Sequence, residues 1–317
     1  MKKLKTIVFV VFAVALTFCA IAATAQEKAQ LKLGMVNFTL SAPYFIGMSE
    51  AVKQECAHFP NIKLISTDAN GDAQKLTSDV EDILAQNVNG IIISGGPLEA
   101  APEALDAIKK AGVPVVLVDR KLKGGDYTSW IGPDNWAIGV EDGNYIVKRL
   151  GGKGRLVVVR GGPADNSIGL DRTNGMLSIV KNSSIEVITA PNFGGWSSDG
   201  GFKVMEDMLA KYKNISAVFS ENDSMALGAQ KAIADAGRTK EMFLCAVDGE
   251  KAALLSIMHK TNYASTGLNN SDQIGRASFT RLMAILGGAQ AEHDTVFPSP
   301  LITIDNVDRY YNPDSVF

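Results

Sequence analysis

Histidine, cysteine and tryptophan each occur only three times in these 317 residues, and their placement excludes most of the chemistry that depends on them. His58, His259 and His293 stand far apart, without the paired spacing that a zinc site needs. The chain has no Gly-x-Ser-x-Gly elbow and no lysine loop of the Walker type. Gly151-Gly152-Lys153-Gly154 lacks the third glycine and the following helix of a dinucleotide loop, so it reads as a turn before Leu156. We therefore expect no enzymatic activity, no metal and no cofactor.

Long apolar runs are confined to the start of the chain. Lys2, Lys3 and Lys5 precede the apolar stretch Thr6 to Ile21, and Ala23-Thr24-Ala25 offers a small-residue cleavage site. That is the layout of an export signal over residues 1–25, cleaved after Ala25. Cys19 follows bulky Phe18, which disfavours lipid attachment there. No later stretch approaches the ~20 apolar residues of a membrane span. Removing residues 1–25 takes three of the 31 basic side chains and none of the 34 acidic ones, leaving 28 against 34. A balance near −6 argues against nucleic acid or an anionic membrane as partner. Cys56 falls on the apolar stripe of Phe45, Met48 and Val52, and Cys245 lies inside a strand-like run, so both are expected as free core thiols.

What the chain does have is alternation. Strand-like runs at 31–37, 62–66, 90–94 and 115–119 alternate with helical patterns opening at Pro43 and near 73–86 and 98–111. After a helix at 135–150 the rhythm restarts. Strands at 156–159, 185–189, 217–220, 243–247 and 264–266 are separated by helices at 168–181, 199–212, 223–236 and 250–259, with a helix at 272–286 and a strand-like 301–304 following. Such βα repeats give parallel sheets buried on both faces, and the length suits two lobes.

Several strands end abruptly in polar residues: Val118 runs into Asp119-Arg120, Ser220 into Glu221-Asn222-Asp223, and Val247 into Asp248. In open α/β sheets the carboxyl ends of strands face the ligand crevice, so these groups converge on a cleft. Asn135, Arg172 and Asn269 also follow strands or sit near helix starts. Phe38 stands at the tip of the first strand, and Tyr44 and Phe45 lie on the first turn of the first helix. Trp196 occupies the Gly/Ser/Asp loop 194–199, where an indole has little local core to fill, and aromatic faces pack well on the C–H faces of sugar rings. Carboxylate, amide and guanidinium together match hydroxyl groups, and two arginines against two or three carboxylates favour an uncharged guest.

Pro43-Tyr44-Phe45, Val118-Asp119-Arg120, Asp134-Asn135, Asp171-Arg172, Glu221-Asn222-Asp223-Ser224-Met225-Ala226-Leu227-Gly228-Ala229, Val247-Asp248-Gly249 and Asp272-Gln273-Ile274-Gly275 together resemble the periplasmic sugar-binding proteins of ABC transporters, in the ribose-binding subgroup. The resemblance spans roughly residues 31 to 304. It implies a type I periplasmic binding fold: two doubly wound parallel-sheet lobes joined by three crossovers, near 132–135, 268–271 and 296–301. The expected lobes are 26–132 plus 270–297, and 133–269 plus 298–317. Asp119 and Arg120 are implied to hold ring hydroxyls from the first lobe, with Phe45 and Tyr44 against one sugar face. Arg172, Asn222 and Asp248 are implied to act from the second lobe, with Trp196 on the other face. Asn269 stands where ribose binders carry Gln, Ala42 where they carry Asn and Phe38 where they carry Ser, which widens the expected guest to a pentose, a hexose or a sugar alcohol. The implied protein is a periplasmic monomer that closes around its guest and delivers it to a membrane permease. The alternative is a sugar or autoinducer receptor feeding a chemoreceptor or sensor kinase. A repressor core shares the architecture, but this chain carries an export signal where a DNA-binding module would stand.

Overall fold

A computed structural model describes residues 30–96, 101–121, 126–163 and 168–317. The expected export signal and the first residues of the helix read at 98–111 lie outside them. Twelve strands and nine α-helices alternate among the described residues, in two six-stranded sheets.

The first sheet has the order β11-β5-β4-β3-β1-β2, from β1 (Leu31–Asn37), β2 (Ile62–Asp68), β3 (Gly90–Ser94), β4 (Val115–Val118), β5 (Ser129–Pro133) and β11 (Asp294–Phe297), all parallel. Helices α1 (Pro43–Ala57), α2 (Ala73–Ala85), α3 (Pro102–Ala111) and α9 (Ser271–Leu286) cover it. The second sheet runs β12-β10-β9-β8-β6-β7, from β6 (Lys153–Val159), β7 (Ser184–Thr189), β8 (Ala217–Ser220), β9 (Phe243–Asp248), β10 (Tyr263–Leu268) and β12 (Leu301–Thr303). Only β12 is antiparallel to its neighbour. Helices α4 (Asn135–Leu150), α5 (Ile168–Val180), α6 (Ser198–Lys211), α7 (Asp223–Asp235) and α8 (Lys251–Met258) cover this sheet.

Burial follows the period-two alternation of strands. In the first lobe Leu33, Met35, Ile92 and Val116 point into one apolar cluster, while Val36, Ile91, Ile93 and Leu117 point into another across the sheet. Leu156, Val158 and Phe219 oppose Val157, Val159 and Val218 in the same way in the second. Cys56 and Cys245 are free and buried, one in each lobe's core.

Two strands escaped the sequence reading. β5 is short and carries Gly132 and Pro133, and β11 is a polar, half-exposed edge. Both complete the first sheet, so the restart near 135 begins after β5. The chain crosses between lobes three times: between β5 and α4, between β10 and α9, and between β11 and β12. The last residues touch both lobes. Lys251 Nζ donates to the carbonyls of Pro313 and Ser315 on the second-lobe side. The Phe317 ring then packs edge-on against Tyr44 of the first lobe at 5.4 Å. Assigning all of 298–317 to the second lobe therefore leaves out the lodging of Phe317 in the first lobe's core.

Candidate functional site

Between the lobes lies a cavity of about 840 Å³, walled by the segments that leave the carboxyl ends of both sheets. Ten of the eleven candidate residues line it, drawn from positions 38 to 269. Asn135 is the exception. Its side-chain oxygen accepts from Arg172 Nε at 2.8 Å, so it supports the guanidinium from behind the wall.

Arg172 organises the second-lobe face. It is 2% exposed, and its other two nitrogens are spoken for: Nη1 donates to the Glu221 carbonyl at 2.6 Å and Nη2 pairs with Asp248 Oδ1 at 3.0 Å. Asn222 caps α7 by accepting the Met225 N–H at 3.0 Å, and its amide donates to the Trp196 carbonyl at 3.3 Å. Trp196 has a φ of 59°, which turns its ring back against the Gly161 peptide.

Across the cleft, Asp119 leaves β4 at a φ of 67°, held by its N–H to the Ile131 carbonyl at 2.9 Å. The Tyr44 hydroxyl donates to Asp119 Oδ1 at 2.9 Å and lies 3.1 Å from Asn269 Oδ1. Tyr44 is buried, with its ring edge-on to Phe45 at 5.3 Å, so it builds the cleft floor while Phe45 offers the more open face. Asn269, on the second crossover, donates to Asp119 Oδ1 at 3.2 Å and to Asp248 Oδ1 at 3.4 Å. One amide thereby joins the carboxylates of the two lobes.

Burial dominates the electrostatics. It pushes Asp248 up to about 7 despite the opposing pull of Arg172, with neighbouring Asp119 adding to the rise. Asp119 is raised for the same reason, against Arg172 and Arg120. Burial also lifts Tyr44 well above the ordinary tyrosine value, and the Asp119 charge adds to it. Removing two carboxylates from water costs more than one ion pair returns.

Three carboxylates outside the candidate set shape the cleft. Glu221, buried, accepts the Gly161 N–H at 2.7 Å and the Thr173 hydroxyl at 2.6 Å, fixing the loop beneath Trp196. Asp223, fully buried, accepts the N–H groups of Gly249 and Glu250 at 2.8 Å each, the Thr266 hydroxyl at 2.9 Å and the Tyr263 hydroxyl at 2.6 Å. It holds the turn that follows Asp248. Glu250 lines the cavity and accepts from the Ser224 hydroxyl at 2.7 Å. At a helix start each of these reads as a cap, so their longer-range bonds leave no local sign in the sequence. Among the described residues no cluster of His, Cys, Asp and Glu is arranged to hold a metal ion.

Comparison with known proteins agrees with the two-lobed fold. A model described as "Periplasmic binding protein domain" matches residues 33–290. The ribose import binding protein of Bacillus subtilis is 28% identical over 310 residues, covering 96% of this chain and 99% of that protein. A xylitol-binding protein of Mycolicibacterium smegmatis is 27% identical over 294 residues, covering 92% of this chain and 83% of the relative. The crystal structure of an ABC transporter solute-binding protein from Bacillus halodurans with bound myo-inositol superposes with a TM-score of 0.82 at 25% identity, covering 90% of this chain and 99% of that one. The chain belongs to the periplasmic binding protein family, whose members bind solutes for transport and are not enzymes.

Proposed function

We propose that the protein captures an uncharged monosaccharide or sugar alcohol between its lobes in the periplasm, and delivers it, as a monomer, to the permease of an ABC transporter. The observation that carries this reading is the junction at Asn269, where Asp119 of the first lobe and Asp248, with its partner Arg172, of the second meet on one amide. Donors and acceptors of both lobes face one enclosed space, with Phe45 and Trp196 on its walls. Hydroxyls satisfy such a set in the closed form only, so binding and hinge closure are linked. Ribose, xylitol and myo-inositol among the relatives' guests support an uncharged polyhydroxy class.

A thermal-shift screen of pentoses, hexoses and polyols tests this, since a guest at a hundred times its dissociation constant adds about 2.7 kcal/mol of stability. Asp248→Ala should weaken the best binder at least tenfold by calorimetry. A chain that ignores every sugar and polyol, or an Asp248→Ala variant with full affinity, overturns the reading. A receptor that presents its guest to a chemoreceptor or sensor kinase uses the same closure. Uptake assays with the cognate permease separate the two roles.

A further inference from the structure

The two walls of the cleft are chemically unequal. Where the first lobe lines the cavity away from Asp119 and Arg120, it presents Phe38, Ala42, Pro43 and Ala73 with the backbone of Gly71 and Gly96. Among the described residues, the hydroxyls nearby are partly engaged, and one O–H of the Thr39/Ser41 pair stays available at the lip of the cleft. Those of Thr39 and Ser41 bond each other at 2.8 Å, and Thr39 Oγ1 also accepts the Ser41 N–H at 3.2 Å. Behind the wall, the Ser94 hydroxyl donates to Asn37, whose amide donates to Ser66 and to the Thr67 carbonyl.

The Phe38 ring is held firmly against this wall. Its N–H donates to the Ser94 carbonyl at 3.0 Å, and its carbonyl accepts from Gly71 at 2.7 Å. Gly96 has a φ of 82°, and a Cβ there would fall 2.6 Å from Phe38 Cγ, so the ring rests directly on the glycine backbone. The second lobe and the crossover hold most of the polar set: Arg172, Asn222, Ser224, Asp248, Glu250 and Asn269.

A sugar that carries hydroxyl groups on every side would turn one of them toward Phe38 and Ala42, where among the described residues it meets carbon in place of the water it loses. A methyl group or bare carbon at that place gains contact instead. Building on the sugar-binding reading above, we infer that the guest is amphipathic: a monosaccharide or polyol in which a deoxy carbon or alkyl substituent replaces one hydroxyl or hydroxymethyl group, with that group seated on Phe38 and Ala42.

Calorimetry with matched pairs tests this: D-fucose against D-galactose, L-rhamnose against L-mannose, and methyl glycosides against the free sugars. At least one deoxy or alkyl member should bind tenfold or more tightly than its hydroxylated partner. Phe38→Ser should shrink that ratio to threefold or less. Ala42→Ser, which adds a hydroxyl to the same wall at a helix N-cap where serine is favoured, should shrink it as well. Hydroxylated members binding equally or better in every pair, or a ratio unchanged in both variants, overturns this inference and leaves the sugar-binding reading standing. Absence of binding by every sugar overturns both.

Discussion

At the scale of single residues, the cleft is built from strained backbone. Asp119, Trp196 and Asp248 have φ values of 67°, 59° and 131°, a region that side-chain-bearing residues rarely adopt. Each costs on the order of 1–3 kcal/mol and persists because its surroundings hold it. For Asp248 the holder is Asp223, which grips the next two N–H groups. Asp223→Ala should lower unfolding free energy by at least about 1–3 kcal/mol, the cost of leaving buried donors unmade. Although Asp223 does not line the cavity, the same variant should weaken sugar binding, and urea titration with calorimetry reads both effects. Asp248 also sets a pH dependence. Its folded value of about 7 lies above the ordinary 3.8, so between those values the folded chain keeps a proton that the unfolded chain has lost. Its contribution to stability therefore falls as pH climbs from about 4 to about 7, and then levels. A sugar hydroxyl donating to Asp248 favours the carboxylate, so affinity should rise over about pH 5 to 7 with release of a proton. Calorimetry in buffers of different ionisation enthalpy detects that proton. Asp119 and Asp248 stood out in the sequence because strand ends announce themselves, and Trp196 because an indole in a Gly/Ser/Asp loop has little local core to fill, whereas the work of Asp223 and Glu221 depends on partners that adjoin only after folding.

At the scale of elements, Arg172 reaches its place because α4 and α5 pack almost backbone to backbone. A Cβ added at Gly139 of α4 would meet the Arg172 carbonyl at 2.1 Å, and one at Gly175 of α5 would meet the Trp136 carbonyl at 2.3 Å. Gly139→Ala must push the helices apart. We expect a loss of about 1–3 kcal/mol in urea titration, as for other overpacked contacts, and weaker binding as the guanidinium leaves Asp248. Most helices and strands could be read from periodicity, to within a residue or two at their ends, because each is buried on one stripe or both faces. β5 and β11 could not. Ser129-Trp130-Ile131-Gly132-Pro133 mixes a strand with turn-forming residues, and Asp294-Thr295-Val296-Phe297 pairs along one edge only. Their identity as strands comes from the neighbour that each one joins.

At the scale of the whole molecule, three crossovers join the lobes, and the segment 313–317 adds a further tie between them. Lys251 holds its carbonyls on one side, and Phe317 lodges against Tyr44 on the other. Phe317→Ala should cost about 3 kcal/mol in thermal or urea unfolding through the space it leaves. It should also weaken binding, because Tyr44 loses the ring that steadies its bond to Asp119. The family resemblance implied the three-crossover architecture, but not this tie: nothing in Asn312-Pro313-Asp314-Ser315-Val316-Phe317 marks which lobe the last ring enters.

The burial of both core sulfurs has a practical side. Cys245 is fully enclosed, and Cys56 is 6% exposed with its thiol pushed up to about 11, so neither reacts readily with a maleimide at neutral pH. A lone cysteine placed at Ser41 or Asp199, on opposite lips of the cleft, would take up a fluorophore on its own. The dye's emission would then follow lobe movement directly, turning the chain into an optical sensor for whatever it binds.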